Sequence, residues 1–484
     1  MKKLLLLLLP FLSFSQIQIG SDINGELALD ELSRVSLSAD GLTLAVGAFK
    51  NDGNGISAGH ARVYRFNGNN WTQIGLDLDG EAGLDQFGIN VSLSADGNIL
   101  AVGANGNDTS ALESGHVKVY GFNNNTWTQI GANINGLPQA ENFSVCSLSA
   151  DGTFVAIVAY NYNNNGSTYG RVAIYKFINN QWQQIGANII GSANGDFLGD
   201  SISISGNGTK IAIGSFGADT VNGQNSGNAK VYVFDEPNWS QIGSTIIGDA
   251  SGDSFGDVSL SADGSTLAVG ARLSSGNGFE CGQVKLFTFN GSNWIQKGNS
   301  IYGENSEDLA GASVSLNNNG SVVAIGAVKN DGNGVNSGST RIYNFNGVSW
   351  VQIGIDINGE AANDFSGFVS LSSDGTKVAI GAPLNDGNGT SSGHVRVYDL
   401  SNILETDNFI INNFVIFPNP ASNILSIQLN KNIDLQKVNL YNNLGQLILI
   451  NKSTEIDTSA LTKQSYIIEI ITNKGQARKL FIKK

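Results

Sequence analysis

Along residues 16–400 short apolar runs alternate with clusters of Gly, Asn and Asp, and the alternation repeats every 55–57 residues. Six tryptophans mark the period: Trp71, Trp127, Trp182, Trp239, Trp294 and Trp350. Each opens a segment like WTQIG, whose glycine recurs at 20, 75, 131, 186, 243, 298 and 354. Gln16 stands where the seventh tryptophan would be. From one Trp to the next, the unit reads approximately WTQIG..I.GE...D.FG..VSLSADG..LAVGA..NDGNG..SGHVRVY.FNG. VSLS and LAVGA are separated by Ala-Asp-Gly, residues that tolerate the positive φ a tight hairpin needs. HVRVY alternates polar and apolar positions, the pattern of a half-buried strand. A short Asn/Gly turn leads to W.QIG, the fourth strand of the unit.

Four short antiparallel strands repeated seven times predict a β-propeller blade, and an open solenoid would show atypical capping repeats that are absent here. The phase of the repeat adds to this. The first copy begins with a W.QIG-type strand and the seventh ends at His394–Leu400 without one. Closing the ring therefore makes Gln16–Asp22 the outer strand of the last blade and removes an exposed edge. The fold class expected is all-β: a seven-bladed β-propeller over 16–400, followed by a small C-terminal β-sandwich. The innermost strands fall near Val35, Val91, Cys146, Ile202, Val258, Val314 and Val369. The tryptophans then lie on outer strands, as scaffold rather than as a sugar-stacking platform.

The first residues read differently. Lys2 and Lys3, the apolar stretch Leu4–Phe14 and the small residues Ser13 and Ser15 form a signal peptide over 1–15, with the mature chain starting at Gln16. The apolar stretch is short for a membrane span, and no transmembrane segment is expected in the mature chain. Cys146 and Cys281 fall at different positions of the repeat and read as buried free thiols. Charge is split: before residue 405, leaving out the leader, there are 16 basic and 35 acidic side chains, and from 405 onward 9 basic and 6 acidic. An acidic repeat region argues against nucleic acid as a partner.

The units resemble the FG-GAP repeats of the integrin α-chain propeller, through Phe87-Gly88, Phe255-Gly256, Gly381-Ala382-Pro383 and the GHVRVY segments. The hairpin SADG..LAVG is also similar to WD-type propeller repeats. Many FG-GAP repeats carry a calcium loop, D.N.DG..D, between the first two strands. Here that hairpin holds one carboxylate (Asp40, Asp96, Asp151, Asp263 or Asp374), and calcium takes six to eight oxygen ligands. The calcium sites are therefore not carried over; calcium stays an option the sequence does not assign, and no other cofactor is expected. Residues 413–484 resemble the type A sorting domain of type IX secretion: Phe417-Pro418-Asn419-Pro420, ILSIQL, VNLYNNLGQLIL around Gly445, IDTSAL, SYIIEI and KLFIKK. Gln464-Ser465 replaces the glycine usual before Tyr466. The resemblance implies export across the outer membrane of a Gram-negative bacterium by the type IX machinery, and a secreted or surface location. Residues 401–412 read as the linker.

The candidate chemistry is sparse. His60, His116 and His394 occupy one repeat position, replaced elsewhere by Arg171, Asn228, Gln283 and Ser339, so no shared zinc or catalytic triad is expected among them. The loop between the second and third strands carries an acidic column, Asp52, Asp108, Asp219, Asp331 and Asp386, which symmetry puts on one face. The loop entering the next blade adds Glu81, Asp85, Glu304, Glu360 and Asp364 to that face. These acids form a collar for a basic partner or cation, or else simply Asx-stabilised turns. The expected function is that of a non-catalytic, monomeric binding or adhesion protein contacting an extracellular glycan or protein. The alternative is a carbohydrate-active hydrolase or lyase with acids in the propeller channel, for which no unique acid pair stands out. The irregular copies around 160–169 and 272–281 are where asymmetry is expected.

Overall fold

The computed structural model describes residues 16–137, 142–159, 163–164, 167–404, 414–430, 433–442, 446–473 and 475–484. The leader, and most of the expected linker, lie outside the described residues. The chain divides into two compact units, one of them Gln16–Leu400. Among the described residues this unit holds seven antiparallel sheets of four or five strands, which follow one another outward in chain order in six of them, while the seventh takes its outermost strand from the start of the unit. The first runs Arg34–Leu37, Thr43–Ala48, His60–Phe66 and Trp71–Gln73. The outer strand is broken after its QIG segment in most sheets, and a second short piece such as Leu78–Asp79 pairs again with the third strand. In the sixth sheet the break is absent and Trp350–Asn358 runs through.

Hydrogen bonds close the ring twice, once between main-chain groups and once through serine hydroxyls. Ala39, Ala95, Ala150, Gly206, Ala262, Asn318 and Ser373 each donate their N–H to the carbonyl of the next, and Ser373 returns to Ala39, at 2.8–3.0 Å. One step away, the hydroxyl of the first serine of each VSLS segment, or of the residue at that position, accepts from the next sheet's innermost strand, from Ser36 with Leu93 N at 2.9 Å round to Ser370 with Leu37 N at 3.0 Å. Two belts of seven hydrogen bonds thus hold the hairpin end of the axis. A closed ring of sheets around an axis is a β-propeller.

The seam is where the sequence placed it. Ile17–Gln18 pairs with Asp399 and Tyr398, and Ile23–Asn24 pairs with Val395 and His394. Each tryptophan donates its indole N–H to the outer strand of the preceding sheet, as Trp127 does to Ile74 O at 3.0 Å and Trp71 to Ile19 O at 2.9 Å. At the tryptophan-less position Gln16 does the same work, its Nε2 donating to Ile355 O at 2.6 Å. Trp127 also leans on Phe122 with ring centroids 4.9 Å apart. Removing it leaves a cavity and an unpaired carbonyl, so Trp127→Ala is expected to lower unfolding free energy by about 3–5 kcal/mol, read from urea titration.

The third strands depart from the half-buried expectation. His60, Ala61, Arg62 and Val63 are all buried, and the equivalents in the other sheets follow suit except Lys230, which is half-buried. Alternation marks a strand with water on one face, but a propeller sheet is covered on both faces by its neighbours. The polar positions are therefore buried too and must find partners across the gap between sheets. Both cysteines are free and buried, and Cys146 Sγ donates to Asn90 Oδ1 at 3.1 Å.

Ser401–Leu404, expected as linker, forms a helical turn with Ile403 and Leu404 buried. The second compact unit contains a three-stranded sheet (Phe414–Phe417, Ile424–Leu429, Glu455–Asp457) and a four-stranded one (Leu435–Tyr441, Leu447–Asn451, Ser465–Thr472, Gly475–Ile482). Leu425, Ile456, Ile468, Ile470 and Phe481 form their shared core. This is the expected small sandwich.

Candidate functional site

The acidic column of the second-to-third-strand loops is exposed at all five positions. Each carboxylate first serves its own loop. Oδ1 accepts the N–H five residues on at Ser57, Glu113, Asn336 and Ser391 (2.7–2.8 Å), and six residues on at Asn225 (2.9 Å). Where the column has Ser275, its hydroxyl takes the same bond, from Glu280 N at 3.0 Å. Asp52, Asp108, Asp219, Asp331 and Asp386 are thus turn-stabilising groups on separate loops, none sharing a partner with another.

The second set of acids does not join an exposed collar as a whole. Asp85 and Asp364 are buried. Asp364 Oδ2 accepts from Glu360 N, Ala361 N and Asn385 Nδ2 at 2.9–3.0 Å, tying the entry loop of a sheet to the second-to-third-strand turn of that same sheet. Asp85 does the same with Glu81 N, Ala82 N and Asn107 Nδ2. A carboxylate with three donors is the cheapest way to bury these loop amides. The glutamates beside them stay half-exposed and reach cations on the next third strand: Glu26 with Arg62 at 3.3 Å, Glu81 with Lys118 at 2.6 Å, Glu360 with Arg396 at 3.6 Å. The histidines sit two residues before these cations. Burial, then the adjacent cation, pulls His60, His116 and His394 down to about 4, so all three are neutral at pH 7.

Symmetry breaks at the opposite end of the axis from the belts. The residue before the Val-like position of each innermost strand is Arg34, Asn90, Val145, Ser201, Asp257, Ser313 or Phe368, while the two columns after it stay Val-like and Ser. Asp200 precedes Ser201, and Arg272 follows the second strand of the fifth sheet. Arg34 of the first sheet lies over the Phe368 ring of the seventh at 4.9 Å. Arg272 lies over Phe216 of the fourth at 5.2 Å, and Phe216 is stacked on Phe197. Arg34, Asp200 and Asp257 feel one another's charge across the axis. Burial, then neighbouring Asp200, pushes the Asp257 carboxyl up to about 8, against the pull of Arg272 and Arg34. Asp200 is raised by burial. Arg34 Nε is buried without a hydrogen-bond partner. Below this mouth the channel is lined by Val35, Ser36, Leu93, Ser147, Ser203 and their equivalents, small and uncharged, around a cavity of about 340 Å³.

Sequence reasoning missed this mouth. Of the two irregular copies, the fifth contributes Arg272 to the mouth. Of the third copy, 160–162 and 165–166 lie outside the described residues, and Asn163–Asn164 pairs with Ser167–Thr168 in a short hairpin. Reading each column down the seven copies carries the signal that would have found the mouth.

Residues 415–484 match the model of the secretion system C-terminal sorting domain. The sorting domain directs export through type IX secretion, so this is a secreted or cell-surface protein of a Gram-negative bacterium. No curated protein matches the chain. Solved structures similar to it include the periplasmic gluconolactonase of Pseudomonas aeruginosa (17% identity, 68% of this chain and 85% of that one, TM-score 0.47). Hydrazine synthase of Kuenenia stuttgartiensis is similar at 13% identity (75% and 94%, TM-score 0.47), and the Dos1 propeller at 14% (80% and 96%, TM-score 0.47). Likeness at this level says nothing of activity.

Proposed function

We propose that the protein is a non-catalytic binding protein of the cell exterior whose axial mouth holds a polar segment of an extracellular glycan or protein. The observation that carries this reading is the mouth itself. Across seven near-identical repeats, the columns that diverge most in chemistry converge there, bringing two arginines, two aspartates, hydroxyls and aromatic faces together. Among the described residues Asp257 and the two arginines form no ion pair within 4.0 Å, and their charges act on one another at longer range. Hydroxyl-rich ligands need such mixed donors and acceptors beside an apolar face. The FG-GAP-like, integrin-like character of the repeats, an adhesive role, and export from a leader over 1–15 belong to the same proposal. The exposed loop aspartates form an outer rim, screened by solvent and already engaged in their turns.

A specific observation favours the alternative, a hydrolase or lyase acting on carbohydrate. Asp257, protonated near neutrality, beside the second acid Asp200, is the kind of pair that general acid–base chemistry uses. One experiment separates the two. The full-length mature chain is applied to glycan and matrix-protein arrays, and every bound glycan is assayed for released ends. Binding weakened at least tenfold by Asp257→Asn or Arg34→Ala, with little change in Asp52→Ala/Asp331→Ala/Asp386→Ala, and without products, is the expected result. Turnover lost in Asp257→Asn establishes the enzyme instead. Binding indifferent to the mouth and lost with the loop aspartates moves the working surface to the rim.

A further inference from the structure

His394 is 1% exposed, and neither ring nitrogen has a hydrogen-bond partner. An imidazole in that condition is costly unless something occupies the space it faces. Its Nδ1 faces two carboxylate oxygens, Glu360 Oε2 at 3.7 Å and Asp22 Oδ2 at 3.9 Å. The other oxygen of each carboxylate is already held: Asp22 Oδ1 by Gln18 Nε2 at 2.6 Å, and Glu360 Oε1 by Arg396 at 3.6 Å. Arg396 is fixed in turn by Asn358 O at 2.7 Å. Outer donors thus orient both carboxylates so that one free oxygen of each points at the imidazole, the arrangement by which second-layer groups aim ligands at a metal.

The neighbouring sheet repeats it. His60 Nδ1 is 3.7 Å from Glu26 Oε2, Gln73 Nε2 holds Asp77 Oδ1 at 2.6 Å, and Arg62 holds Glu26 Oε1 at 3.3 Å. His60 Nε2 is likewise buried and unpartnered. In both triads the donor atoms lie within 4.8 Å of one another.

We infer that Asp22, Glu360 and His394, and separately Glu26, His60 and Asp77, are two binding sites for a divalent first-row transition metal ion of the zinc type. Zinc bonds of about 2.0–2.2 Å put tetrahedral donors roughly 3.4 Å apart, so the imidazole–carboxylate separations of 3.7 and 3.9 Å need to close by a few tenths of an ångström, and the widest separation, within 4.8 Å, by at most about 1.4 Å. A fourth position stays open to solvent, since Glu26 and Glu360 are each 44% exposed in their side chains. One imidazole and two carboxylates suit zinc or manganese and fall short of the oxygen count calcium demands. The third histidine is an internal control. At His116 the aspartate position is Asn133, and Glu81 is bound tightly by Lys118, so that copy lacks an acid.

The test is the metal content of the untagged, full-length mature chain, stripped with chelator and dialysed against zinc, with calcium as a parallel arm. Two zinc ions per chain are expected. Asp22→Asn and Asp77→Asn should each remove one, and the double variant both. These acids lie outside the apolar core, and an unchanged urea midpoint in zinc-free buffer verifies that the fold survives. No zinc retained, a stoichiometry indifferent to both substitutions, three ions, or calcium retained equally well would each overturn the assignment.

Discussion

Deleting Gln16–Asn24 should abolish the cooperative fold of the propeller or cost it more than about 5 kcal/mol, the largest effect expected of any short change in the chain. The segment supplies both pieces of the seventh sheet's outer strand. It also contributes buried Ile23, the Ile19 carbonyl that Trp71 needs, and the Gln16 amide on Ile355. Without it His394–Asp399 becomes an open edge, free to pair with another chain. Size-exclusion chromatography and urea unfolding would read the result: oligomers or an early, broad transition are expected. Adding a synthetic Gln16–Glu26 peptide should restore a monomer. A deletion variant as stable as the intact chain would mean that the ring does not depend on this strand.

Acid should loosen the propeller through its histidines well before its ordinary carboxylates titrate. His60, His116 and His394 are held at about 4 when folded, against 6.5 when exposed. Their neutral burial contributes fully above 6.5 and is lost as pH falls from 6.5 through 4, because the unfolded chain takes up protons that the folded one refuses. By pH 5 each costs about 2 kcal/mol, and the three together about 6 kcal/mol. Asp257 acts in the opposite sense. Its carboxyl, pushed up to about 8, takes a proton on the folded chain as pH falls through 8, and regains about 3 kcal/mol between pH 7.5 and 5. The intact chain should therefore lose roughly 3 kcal/mol over that interval, and Asp257→Asn about twice as much. Urea midpoints at the two pH values, in chelator, make the comparison. Equal losses in the two proteins would show that Asp257 is not protonated in the folded state.

The period, the strand order and the seam were legible because they are written once per repeat in side chains that do one job. Each tryptophan bonds the preceding sheet, and a surplus strand at the front answers a missing one at the back. Burial of the third strands was misread for a physical reason. Alternation of His, Arg and apolar residues normally means one wet face, but here ion pairs from the neighbouring entry loop replace the water. The loop acids were visible as a column, yet their engagement in their own turns is a matter of backbone geometry that composition does not display. The mouth and the histidine triads were hidden by distance along the chain. Arg34 and Asp257 meet only across the axis, and Asp22 reaches His394 only because the ring closes. Asp257 itself sits inside FGDVSL, where it passes for a turn residue at a strand start.

The main-chain belt from Ala39 round to Ser373 has a consequence for how such a protein can change. Its bonds run between peptide groups, so side-chain substitution at the far end of the axis does not touch them. Architecture and variation are stored in different columns of the same repeat: the indoles, serines and belt residues fix the ring, and the residue before the Val-like position of each innermost strand changes from copy to copy at the mouth. Descendants of this chain could exchange Arg34, Asp257 or Phe368 one at a time without renegotiating closure. A designer could graft a new set of seven onto the same frame.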